Sequence, residues 1–68
     1  MQLEQLPKDL QRYIAGCIKH CSMTIGNELE DALTFSETVD EFKAKAKEYM
    51  QNLSVEALSV AEEIKGFC

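Results

Sequence analysis

The chain has 68 residues, 46% of them apolar and 28% charged, with a formal net charge of −5. That length allows a single domain (1–68) with a small core, and that ratio of apolar to charged residues excludes a disordered polyelectrolyte. The acidic balance argues against direct contact with nucleic-acid phosphates or with an anionic membrane surface.

The opening residues Met1-Gln2-Leu3-Glu4 lack the basic start and apolar run of a secretory signal. Nor does any stretch approach the ~18 consecutive apolar residues that a membrane span needs. A cytoplasmic protein with reduced thiols is expected, with no membrane contact. Asn52-Leu53-Ser54 matches a glycosylation acceptor, a triplet that recurs by chance. Ala, Leu, Glu, Lys and Gln are common and β-branched residues few, which favours helix.

Pro7 suits the first turn of a helix, where its missing N–H costs nothing. From there Leu10, Ile14, Cys17, Ile18, Cys21 and Ile25 recur at helical spacing, on an arc about 100° wide, with Lys8, Arg12 and Lys19 opposite. The pattern predicts a first helix over about 7–23. Continued on the same wheel, it would place Glu28 in the middle of the apolar stripe, which is costly. Gly26-Asn27 therefore reads as a stop followed by a cap, with Glu30 completing the signature and a short second helix over 27–34.

Thr38 and Glu41 have the spacing of a capping box, opening a third helix over 38–52, with Val39, Phe42, Ala46, Tyr49, Met50 and Leu53 on one face. Ser54 begins a fourth over 54–66, with Leu53 and Leu58 placed to form a hydrophobic staple and Gly66 to end it. The fold class expected is all-α, a small three- or four-helix bundle. The fourth helix is apolar over half its circumference: Ala57, Leu58, Val60, Ala61, Ile64, Phe67 and Cys68 share that half. A stripe so broad serves two neighbours, either two helices of its own chain or one helix and a second copy.

Cys17, His20, Cys21 and Cys68 are the chain's soft metal ligands, enough in number for a tetrahedral zinc site. Their spacing matches no common zinc knuckle, and reduced cysteines on an apolar stripe act as small hydrophobes, so packing is the favoured reading and no metal or other cofactor is expected. Three cysteines are an odd number and cannot form a closed disulfide framework. A Cys–His nucleophile would lack an orienting carboxylate and an oxyanion site, and the sequence has no phosphate loop, serine elbow or calcium loop. No catalytic role is expected. Lys43, Lys45 and Lys47 alternate with acids and read as a solvated face with intrahelical ion pairs, such as Glu41 with Lys45.

Charge is distributed unevenly. No Lys or Arg occurs between Lys19 and Lys43, an interval that holds Glu28, Glu30, Asp31, Glu37, Asp40 and Glu41. Acids are favoured near helix starts, which accounts for some of them. Together they also offer a negative surface to a basic protein. The function expected is a small protein–protein interaction module, an adaptor or inhibitor, self-associating as a homodimer through Val60, Ile64, Phe67 and Cys68. Two alternatives stay open: an acidic inhibitor that mimics nucleic-acid charge, and a metal- or redox-responsive helical domain.

Overall fold

The computed structural model of the chain describes residues 1–67. After a short 3-10 turn (Leu3–Gln5) come four α-helices: α1 (Lys8–His20), α2 (Met23–Thr34), α3 (Val39–Met50) and α4 (Val55–Gly66). The described residues include no strand. The chain is a small all-α bundle.

Serine and threonine caps punctuate three of the four helices. Ser22 Oγ accepts from the Ile25 amide (3.4 Å), Thr38 Oγ1 from Glu41 (3.1 Å) and Ser54 Oγ from Ala57 (3.0 Å). Each satisfies one of the orphan amides of a first turn. At the α3 start the Glu41 carboxylate reaches back to the Glu37 amide (3.2 Å), one residue before the cap itself.

The boundary between the first two helices differs from the sequence expectation. The first ends at His20 rather than 23, and the second starts at Met23 rather than 27. The Gly26-Asn27 stop is not used: Gly26 is buried inside α2 and has no positive φ. The break lies at Cys21-Ser22, where the Ser22 hydroxyl supplies the cap and an extended Cys21 resets the phase of the apolar stripe. In the new phase Ile25, Leu29 and Ala32 point inward and Glu28 leaves the centre of the stripe, half-buried at its edge. A Cβ added at Gly26 would meet Ile18 Cα at 3.7 Å, an ordinary van der Waals contact. Gly26→Ala is therefore expected to stabilise the domain by about 0.5–1 kcal/mol, and Ser22→Ala to destabilise it by about 1 kcal/mol. Urea denaturation checks both, and a loss on Gly26→Ala would return the break to its predicted place.

Short connections make successive helices antiparallel, and contacts at matching heights record it. The Met1 ammonium donates to the carbonyls of Leu33 (2.9 Å) and Ser36 (2.7 Å), which brings the amino end to the α2 C-terminus. A cation is well placed there, against the negative end of the helix dipole. Lys43 donates to the Phe67 carbonyl, tying the start of α3 to the end of α4, and Lys47, in the last turn of α3, pairs with Glu62 at 3.8 Å. That pair is interhelical, and it is the salt bridge found among the described residues, so the intrahelical pairing expected of this lysine face is not what forms.

Phe42, Leu10, Ile14, Ile25, Leu29, Met50 and Ile64 are fully buried at the centre, each contributing about 1.5–3 kcal/mol by leaving water. The broad stripe of α4 is largely consumed within the chain. Ala57, Val60, Ala61 and Ile64 are buried, mainly against α3 and more lightly against α1. Ser36, the one buried polar side chain among the described residues, donates to the Ala32 carbonyl at 2.6 Å and closes the α2 end.

Candidate functional site

With the helices alternating in direction, the bundle has two distinguishable ends. One gathers the α1 C-terminus, the α2 N-terminus, the α3 C-terminus and the α4 N-terminus. The other gathers the α2–α3 turn and the remaining termini.

The acidic interval maps to the second end. Glu30 and Asp31 lie in the last turns of α2, Glu37 in the turn, and Asp40 and Glu41 in the first turn of α3. All five are exposed, while Glu28 is half-buried one turn further up α2. Glu41 is partly occupied as a cap of the chain itself. Among the described residues none of these carboxylates forms an ion pair with a lysine or arginine. The seven basic residues and the other six acids nearly cancel, so the net charge of −5 is concentrated in this interval.

The first end is apolar. Of the six large hydrophobic residues exposed on the described surface, five lie here: Ile18 (38%), Met23 (80%), Leu53 (39%), Val55 (88%) and Leu58 (37%). Phe35, in the α2–α3 turn, is the sixth. Met23 and Val55 each directly follow the serine that caps their helix, so they occupy first helical positions at the rim of the bundle. Sequence periodicity passed over both, because neither belongs to an inward stripe. The pairing of a cap serine with a large apolar residue was the available signal.

The residues expected to mediate self-association are placed differently. Val60 and Ile64 are buried in the chain's own core, and the half-buried Phe67 ring packs on Tyr13 with centroids 5.3 Å apart. Cys68 lies outside the described residues. The surplus apolar surface of α4 is at its first turns, on Val55 and Leu58, rather than at its end.

Cys17, His20 and Cys21 line one shallow groove of about 380 Å³ with Arg12, Tyr13, Gly16 and Val60. Cys17 is buried, Cys21 half-buried and His20 exposed. Burial pushes the Cys17 thiol up to about 11, and the neighbouring Cys21 adds to the shift. Burial likewise raises the Tyr13 hydroxyl well above its ordinary value, with Cys17 adding to it. Such a thiol is a poor nucleophile near neutrality, since the reactive thiolate is scarce. Among the described residues no group of three or more His, Cys, Asp or Glu is disposed to hold a metal ion. Among them, too, no helix is long and apolar enough to cross a membrane. Comparison with protein-family models, curated proteins and solved structures finds no match.

Proposed function

We propose that the chain is a small protein–protein interaction module, an adaptor or inhibitor, that presents its acidic end to a basic surface on another protein in the cytoplasm. One observation carries the reading: the net charge is gathered on one end, exposed and without ion pairs among the described residues. Opposite charges across an interface speed encounter and select partners. The core between the two ends is filled by interlocking side chains, and burial keeps the Cys17 thiol protonated near neutrality, which favours binding over catalysis.

The test is affinity capture from lysate of the native host by the wild-type chain and by E30K/D31K/E37K/D40K. All four positions are exposed, so the reversals should change stability by no more than about 0.5 kcal/mol each, or about 1 kcal/mol at Asp40, in the first turn of α3. The wild-type chain is expected to retain a basic protein that elutes as salt approaches about 0.5 M, where the Debye length has fallen to about 4 Å. The variant should retain none of it. Equal capture by both chains would refute the reading, as would elution that ignores salt.

A further inference from the structure

We propose that the apolar end of the bundle is the contact between two copies of this chain, joined head to head about a two-fold axis. Ile18, Met23, Leu53, Val55 and Leu58 come from both ends of the sequence and are brought together by the alternating helix directions. Single exposed hydrophobic residues need no explanation, but five of the six on the described surface lie at one end. Together they expose on the order of 500 Å², so two such ends, if fully covered, remove up to about 1,000 Å² from water, the threshold for a specific interface.

Charge favours a second copy as the occupant. The terminal turns at this end carry Lys19, Lys47, Glu48 and Glu56 beside His20, a mixed set whose formal charges cancel with His20 neutral, whereas the acidic end would repel its own kind. In a two-fold contact residue i meets j while j meets i, so Lys19 of each copy can oppose a glutamate of the other. Head-to-head docking also sets the acidic ends at the two extremes of the assembly. Each copy has principal extents of 27, 21 and 20 Å, so their separation exceeds the ~8 Å Debye length of physiological salt and repulsion is screened. A dimer also answers the small core of a 68-residue domain, for which association is a common source of stability. Both acidic ends stay exposed, giving a bivalent presentation to basic surfaces.

The test is sedimentation equilibrium of the reduced protein from about 10 μM to about 1 mM, a range that brackets weak and moderate dimers. It uses no third component, so its outcome is independent of the search for a basic partner. The wild-type chain is expected to dimerise with little dependence on salt, because the contact is apolar. M23E/V55E should weaken dimerisation by roughly 100-fold or more while keeping the wild-type circular dichroism spectrum. If the glutamates disturb folding, M23S/V55S serves in their place, with the same expectation at roughly 30-fold. A wild-type chain that is monomeric at every concentration would overturn the proposal. So would a dimer that survives these substitutions, or one that forms only at high salt and disappears with changes at the acidic end.

Discussion

Replacing Phe42 by alanine is expected to unfold the domain at room temperature. Phe42 is fully buried at the end of the first turn of α3, the helix that packs extensively on both α2 and α4. Removing a buried phenylalanine costs about 3–5 kcal/mol through lost transfer energy and the cavity left behind. A domain this small has about 3–5 kcal/mol in total to lose. Far-UV circular dichroism with a urea titration checks it: Phe42→Ala should lack a cooperative transition. Phe42→Leu should keep one, shifted by about 1–2 kcal/mol. Phe35, at 64% exposure, supplies the contrast, and its replacement by alanine should stay within about 0.5 kcal/mol. A Phe42→Ala chain that unfolds cooperatively with nearly wild-type stability would show that the core is not organised around α3.

The second large effect is a loss of stability in alkali that depends on Cys17. The ordinary thiol value is 9, and burial pushes Cys17 up to about 11 in the folded chain. Below pH 9 the thiol is protonated in both states, and its contribution is fully present. Between pH 9 and 11 the unfolded chain releases the proton while the folded chain holds it, so stability falls as pH rises. Each pH unit of difference is worth about 1.4 kcal/mol, which sets the loss at about 2 kcal/mol once partial solvation is allowed for. Tyr13 is shifted the same way and extends the decline to higher pH. Unfolding free energies of the wild-type chain and Cys17→Ala, measured from pH 8 to 11, should converge as pH rises. Parallel curves would mean that the thiol is not buried as described.

Most of the fold is legible in the sequence because it rests on local signals. Thr38 and Ser54 stand immediately before apolar stripes, and their hydroxyls make the bonds the spacing implies. The sequence places the α1 boundary too late because Gly26-Asn27 is a stronger dipeptide signal than Ser22 alone. What decides between them is tertiary: capping α2 at Ser22 buries Ile25 and sets Gly26 beside Ile18 at the end of α1. A helix wheel drawn for one segment contains no such term. The broad stripe of α4 shows the same limit. Its width was evident, but whether α1 or a second chain covers it depends on how the helices are arranged, and Val60 and Ile64 turn inward.

The two ends of the surface differ in how readable they are. The acidic end is contiguous in sequence, so a gap in basic residues between Lys19 and Lys43 reveals it. The apolar end is assembled from positions 18, 23, 53, 55 and 58, and only the alternating directions of four helices unite them. Its largest contributors, Met23 and Val55, sit at helix starts where inward periodicity has not begun.

The division of the surface into a self-associating apolar end and an unoccupied acidic end is tested most directly by amide chemical shifts followed over protein concentration. The expected result is a set of concentration-dependent shifts around Ile18, Met23, Leu53, Val55 and Leu58, with residues 30–41 unmoved. Shifts centred on residues 30–41, or none at any residue, would contradict it.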